Sequence, residues 1–262
     1  MPPTIVLIRH AQALHNEANK YPDSKTHNDH SIPDPRLTDL GIQQCAQLRH
    51  NLAQRFSSFD GKIAIVASPM LRTLQTASLA ADWLVERGIK IEADADWQEN
   101  SNHPCDTGSP ASLLALLQDN HTKFQFASPA FDFSAIHPLW PDKTSSPAAR
   151  SLFGYTRSAI LGRARRALEK LRRRPEDLIF VFTHSAFLRT AVSSWWYFNA
   201  DYRIFEFDDE GTDGGLVPLR MDQSTLEGGM GWSWARRVEV GCELPDDDAE
   251  EENGSRGEKE VN

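Results

Sequence analysis

Four short apolar runs punctuate the chain, and segments of helical spacing lie between them. Thr4–Arg9 (TIVLIR), Lys62–Ala67 (KIAIVA), Leu178–Thr183 (LIFVFT) and the weaker Ile89–Ala95 read as buried strands. Gly41–Phe56 places Ile42, Cys45, Leu48, Leu52 and Phe56 on one helical face, with Thr38 as its cap. Ser68-Pro69 reads as an N-cap followed by Pro at the first helical position, opening a helix that runs to about Arg87. Ala148–Arg174 reads as one long helix ended by Pro175, and Ser185–Phe198 as a helix after the fourth strand. Strands alternating with helices predict βαβ units in an α/β fold, a three-layer αβα sandwich around a mostly parallel sheet.

The pattern breaks down between Glu99 and Ala148. Pro104, Pro110, Pro129, Pro138, Pro141 and Pro147 interrupt this stretch, and only Ala111–Gln118 reads as helix. An irregular insertion at about 100–147 is therefore expected over the C-terminal end of the strands, as a lid or binding loop. Arg203–Phe207, Leu216–Met221 and Ala235–Val240 are candidate edge strands or a C-terminal hairpin. The basic run Arg163, Arg165, Arg166, Lys170, Arg172, Arg173 and Arg174 is expected on the wet face of its helix, opposite Ile160, Leu161, Ala164, Leu168 and Leu171. Trp195-Trp196-Tyr197-Phe198 is expected in the core.

Composition narrows the class. With 262 residues, 40% of them hydrophobic, the chain can bury one sizeable core, read as a single domain over 1–242. The net charge of −9 sits mostly in residues 243–262, where nine acids face Arg256 and Lys259; that is −7, which leaves −2 for the body. Such a tail reads as an acidic disordered segment, and a nearly neutral body gives no support to nucleic-acid binding. No apolar stretch approaches a membrane span or a secretory signal. The odd, widely spaced Cys45, Cys105 and Cys242 give neither a disulfide framework nor a metal knuckle. The expectation is a cytoplasmic protein. His15, His27 and His30 fit no zinc spacing and are read as scattered loop histidines.

Three strand-to-helix junctions place polar residues where open α/β sheets put their ligands. The first carries Arg9, His10 and Asn16; the second Ser68 and Arg72; the fourth Thr183, His184 and Ser185. Two imidazoles and two guanidiniums would then converge at one end of one sheet.

In these residues the chain resembles the histidine phosphatase superfamily, also called phosphoglycerate-mutase-like. The likeness rests on Leu7-Ile8-Arg9-His10-Ala11-Gln12 with Asn16, then Leu37-Thr38 with Gly41 and Gln44. It continues in Ser68-Pro69-Met70-Leu71-Arg72-Thr73 with Gln75-Thr76-Ala77, in Trp97-Gln98-Glu99, and in Thr183-His184-Ser185. The motifs follow family order over roughly residues 4–200. The resemblance implies that His10 is the nucleophile that becomes phosphohistidine. It implies that Arg9 and Arg72 clamp the phosphoryl oxygens, that His184 donates to them, best when protonated, and that Asn16 adds a neutral donor. Glu99 is the candidate general acid, with Asp94, Asp96 and Asp106 as competing carboxylates. Gln12, Ser185, Ser101 and Asp106 are further candidates for substrate binding. The polar loop Asn100–Ser109 and His27–Ser31 are expected against the non-phosphate part of the substrate.

Ala11 and Ser185 stand where the family commonly has Gly, and Gln12 where many members have Glu. The branch of acid phosphatases and phytases usually has Asp directly after the second His, so Ser185 fits that branch less well. The activity implied is metal-independent, cofactor-free hydrolysis of a small phosphorylated metabolite. The alternatives are a mutase that returns the phosphoryl group to another hydroxyl, or an inactive phosphate- or protein-binding relative.

Overall fold

A computed structural model describes residues 1–20, 29–114, 131–208 and 217–247. His27, Gln118, Leu216 and most of the acidic tail lie outside the described residues. One seven-stranded sheet organises the chain. Strands β1 (Thr4–Arg9), β2 (Ile63–Ala67), β3 (Ile91–Ala93), β4 (Phe131–Asp132) and β5 (Leu178–Thr183) run parallel. β6 (Tyr202–Phe207) lies antiparallel to β1, and β7 (Leu219–Met221) antiparallel to β6. The order across the sheet is β4-β3-β2-β5-β1-β6-β7. The sheet is thus mostly parallel, with an antiparallel pair closing one edge.

Alternation along β1 explains the layers. Val6 and Ile8 face α1 (Asp39–Arg55), α2 (Leu71–Ala80) and the short α3 (Asp82–Val85), burying Cys45, Leu48, Leu52, Leu74 and Ala77. Ile5 and Leu7 face α5 (Arg157–Arg172), against Ile160, Ala164, Leu168 and Leu171. A central strand covered on both faces must be apolar throughout, as this one is. Thr38 caps α1 by accepting from the Gly41 N–H at 3.0 Å. Gly41 allows α1 to approach the loop after β1: a Cβ there would lie 2.1 Å from the Gln12 carbonyl oxygen.

Several helices are shorter than their apolar spacing predicts. α2 starts at Leu71 without Ser68 as cap; the Leu71 N–H is taken by Asp34 Oδ1 at 2.9 Å, a residue far away in sequence. The helix predicted to about Arg87 divides at Ala81 into α2 and α3. The predicted Ala148–Arg174 helix divides at Gly154 into α4 (Pro147–Phe153) and α5, and Thr156 caps the second piece. A side chain at 154 would meet the Arg150 carbonyl oxygen at 2.3 Å. After β5 the helix is only α6 (Ser185–Phe187), which passes into a π-helical turn, Leu188–Val192. The Ser193 N–H closes that turn on the Leu188 carbonyl at 2.8 Å, and the chain then turns through a positive φ at Ser194. Of the four aromatic residues that follow, Tyr197 alone is fully buried; Phe198 is exposed. Ala235–Val240 forms no strand, only a bridge between Arg237 and Trp195. Among the described residues no helix is long and apolar enough to cross a membrane.

Candidate active site

The sheet register brings the two histidines together. Arg9 pairs with Thr183 across β1 and β5, so His10 and His184 leave neighbouring strands at the same height. The His10 N–H donates to the Thr183 carbonyl at 2.9 Å, and the His10 carbonyl accepts from the Asn199 amide and the Ala200 N–H. The two imidazole centroids lie 5.3 Å apart. The space between them is on the scale of one phosphoryl group.

His10 Nδ1 sits 2.7 Å from the Ala11 carbonyl oxygen. A carbonyl only accepts, so Nδ1 carries the proton and the lone pair is on Nε2. That lone pair is met by the Arg72 Nε–H at 3.2 Å. Burial, then the charges of Arg72 and Arg9, hold His10 well below the ordinary imidazole range, so it is neutral at physiological pH. The Ala11 methyl is completely buried, and its N–H donates to Thr76 Oγ1 at 3.0 Å. The turn accepts a methyl where the family commonly has Gly.

Arg72 is almost wholly buried and fixed on three sides. Besides His10, its guanidinium donates to the Cys105 carbonyl at 2.6 Å and to Asp106 Oδ1 at 3.1 Å. Asp106 therefore orients the Arg72 guanidinium as well as lining the cavity. Burial works to raise its carboxyl, but Arg72, Lys143 and the Ser101 hydroxyl bring it below the usual range. Arg9 donates to the Tyr197 carbonyl at 2.9 Å, and its buried Nε has no acceptor.

His184 is fully buried, with Nε2 2.9 Å from the Ser68 hydroxyl and Nδ1 unpartnered. Ser68 is thus turned to this imidazole and away from the helix it was expected to cap. Burial, Arg72 and His10 push His184 well below its ordinary value. The expectation of a protonated His184 is therefore corrected for the free site, where the ring is neutral. Glu99 accepts the N–H groups of Asn100, Ala186 and Phe187 at 3.0, 3.2 and 2.8 Å. Burial and the nearby Asp106 nevertheless raise its pKa above the usual carboxylate range. Of its competitors, Asp94 and Asp96 face α5, where Lys170 meets both and Arg166 meets Asp96. Glu99 and Asp106 are the carboxyls that line the cavity, and of the two only Glu99 has its pKa raised.

A cavity of about 490 Å³ opens over these groups, lined by Arg9, His10, Asn16, Glu99, Asp106 and Ser185 among others. Asn100, Ser101, His103 and Cys105 line it from the insertion, and His30 from the earlier loop. Asn16 is oriented by the Ala13 N–H on its Oδ1 at 3.3 Å, and the Ser185 hydroxyl donates to the Tyr197 carbonyl at 3.5 Å. Ser101 donates to Asp106 Oδ2 at 2.6 Å. Gln12 is not brought to the cavity: its Oε1 accepts from Thr38 at 2.8 Å, and its backbone N–H donates to Gln44. Ser109 likewise turns away, to Asp34.

The cavity also takes in residues that sequence reasoning passed over. His15 lies 5.8 Å from His10, ring to ring, and burial lowers its pKa to about 3. Arg189 lines the wall and pairs with Glu243. Trp196 lines it too, stacked on the exposed Trp234 at 4.3 Å. Arg163, expected on the wet face of α5, is fully buried beneath the site, where it donates to the carbonyls of Asp96, Gln98 and Glu99. With the protonated form of Glu99 favoured and Arg189 paired to Glu243, Arg9 and Arg72 outweigh Asp106 in charge beside His10, so the cavity favours an anion. Among the described residues no group of three or more His, Cys, Asp and Glu is arranged to hold a metal ion.

Known proteins share this chain's pattern. The "Phosphoglycerate mutase-like protein" of Arabidopsis thaliana is 28% identical over 223 residues, covering 73% of this chain and 74% of that one. "Phosphoglycerate mutase-like protein 1" of the same plant is 30% identical over 212 residues, covering 71% and 69%. Among solved structures, the ecdysone phosphate phosphatase from Bombix mori in complex with tungstate aligns at a TM-score of 0.49 and 14% identity, over 85% of this chain and 96% of that one. A phosphoglycerate mutase from Bacillus anthracis str. Sterne aligns at 0.46 and 14%, over 84% and 92%. The family profile of the histidine phosphatase superfamily (branch 1) matches residues 5–211, a span that holds both histidines, Arg9, Arg72 and Glu99, and the chain belongs to that superfamily.

Proposed function

We propose that the protein is a phosphatase that hydrolyses a small phosphomonoester through a phosphohistidine at His10, without a metal ion. The observation that carries this reading is the tautomer of His10. With Nδ1–H held by the Ala11 carbonyl, Nε2 presents its lone pair beside the Arg72 guanidinium, where a phosphoryl group is to be gripped. A neutral imidazole is the nucleophilic form.

In the first step Nε2 attacks phosphorus in line, and the bond to the leaving oxygen breaks. Glu99, whose protonated form is favoured by burial and by Asp106, gives that oxygen its proton. Arg72, Arg9 and Asn16 stabilise the charge spread over the equatorial oxygens. In the second step Glu99 takes a proton from water, the water oxygen attacks phosphorus, and the P–N bond breaks. Inorganic phosphate leaves, and His10 and Glu99 return to their starting states. The guanidinium donors neutralise the phosphoryl group, which is the support for metal independence.

The test is release of inorganic phosphate from p-nitrophenyl phosphate and a panel of phosphomonoesters, with chelator present. We expect turnover by the wild type and a loss of at least about 10³-fold in His10→Ala, with phosphate trapped on His10 by mass spectrometry. Equal activity in the two proteins overturns the assignment of His10, and transfer to a second hydroxyl without release of phosphate shows a mutase.

A further inference from the structure

Lys143 is a fully buried cation that the mechanism above leaves unused. It comes from the irregular insertion and is only 4% exposed. Its ammonium donates to three backbone carbonyls: Glu99 at 3.2 Å, Asp106 at 2.7 Å, and Ser101. An –NH₃⁺ group has three donors and no acceptor, so the three oxygens use its full capacity. Those carbonyls belong to the two ends and the middle of the segment that carries the site's carboxylates. Glu99 begins it; Cys105 and Asp106, which grip Arg72, end it.

We propose that Lys143 is a positioning residue for phosphoryl transfer: its ammonium ties Glu99, Ser101 and Asp106 into one piece and so fixes the Glu99 carboxyl and, through Cys105 and Asp106, the Arg72 guanidinium. This rests on the phosphatase reading of the same site. Without the ammonium, the Ser101 and Asp106 carbonyls lose this donor and the Glu99 carbonyl keeps only Arg163, and the segment has no strand ladder to hold it. Arg163 supports only its start, at Asp96, Gln98 and Glu99.

The charged groups facing Lys143 are Asp106 and Glu99, which favour its protonated form, and Arg163 and Arg72, which oppose it. Burial is the largest influence and brings the ammonium down to about 7. A neutral amine has two N–H groups for three carbonyls, so one bond is lost as pH rises. Activity then falls on the alkaline side. Stability moves the other way. The unfolded lysine keeps its value of 10.5, so between about pH 7 and that value the native state holds fewer protons and is favoured by rising pH. Loss of activity alongside gain of stability separates this effect from unfolding.

The experiment compares full-length wild type, Lys143→Arg and Lys143→Met. It reads kcat/KM on p-nitrophenyl phosphate between about pH 5 and 10, the melting temperature over the same range, and the affinity for inorganic phosphate. We expect an alkaline limb in the wild type, moved upward in Lys143→Arg because a guanidinium keeps its charge. We expect kcat/KM in Lys143→Met to fall about 10²-fold, the scale of a small misplacement of reacting groups. Its phosphate affinity should fall about tenfold. An alkaline limb at the same pH in wild type and Lys143→Arg overturns the proposal, and this comparison stands even where Lys143→Met does not fold. Should the wild type release phosphate from no substrate, the phosphatase reading falls, and phosphate binding alone decides Lys143: equal affinity in the wild type and the Lys143 variants overturns its role. Absence of phosphate binding in the wild type overturns both.

Discussion

One wall of the cavity is made of strand ends, the other of the loop 99–106, which pairs with no strand. The strand wall holds Arg9, His10, Ser68 and His184; the N–H groups of His10 and Ser68 continue the hydrogen bonding of β1 and β2 onto β5. The second wall holds Glu99, Ser101, Cys105 and Asp106: the Glu99 carbonyl is met by Lys143 and Arg163, those of Ser101 and Asp106 by Lys143, and the Cys105 carbonyl and Asp106 carboxylate by Arg72. The backbone of the first wall is held by neutral peptide bonds to neighbouring strands, which do not titrate. The second depends on a few buried cations, each worth more in a low dielectric and each a single point of failure. The lesson is that His10, the proposed nucleophile, sits on backbone that is hard to disturb. Glu99, the proposed proton donor, and the groups that orient Arg72 sit on backbone that single substitutions can reach.

The sharpest way to break this contrast is Glu99→Gln, which keeps an acceptor for the backbone N–H groups but has no proton to transfer. It should lower kcat by about 10²–10⁴-fold and leave phosphate affinity within a few-fold; an unchanged kcat would mean that the insertion side supplies no chemistry. Next comes Arg163→Met. Leaving buried carbonyls unpaired costs about 1–3 kcal/mol, read as a lower urea midpoint at constant slope. A change below about 0.5 kcal/mol would show that the backbone there is held without a cation. A smaller effect concerns acid. His10, His15 and His184 are all held below their ordinary value of 6.5, so the unfolded chain takes up protons first and stability falls as pH drops through that value. His184→Asn should make the melting temperature fall less steeply between about pH 7 and 5. The smallest effect is on the strand side, where Gln12→Ala should leave KM within about twofold and cost no more than about 1 kcal/mol, a typical side-chain hydrogen bond. A large rise in KM would place Gln12 back among the substrate contacts.

How far the sequence speaks differs between the same two walls. Three strands were legible to within a residue because both faces of a central strand are buried and the apolar run is unbroken. Their loops carried His10, Arg72 and His184 in recognisable motifs. The insertion was legible only as a break in pattern. Nothing in the spacing of Lys143 announces three carbonyl partners that lie roughly forty residues earlier, because side-chain to backbone bonds leave no periodic trace. Arg163 was misread for a related reason. Its helical position places it between the wet and apolar faces, and the carbonyls of Asp96, Gln98 and Glu99, with the Phe187 ring beneath it, make burial of a guanidinium tolerable. The helix expected over Ser185–Phe198 failed because apolar content does not reveal where a π-helical turn ends. Ser68 was read as a cap, but its hydroxyl is engaged by His184.

The pairing of Trp196 with Trp234 has a practical consequence. An indole on the cavity wall, stacked on a second indole open to solvent, is sensitive to any charge that arrives beside it. Intrinsic fluorescence should therefore report occupancy of this cavity directly, so that the arrival of an anion and its later chemistry can be timed separately in one rapid-mixing trace without an added dye.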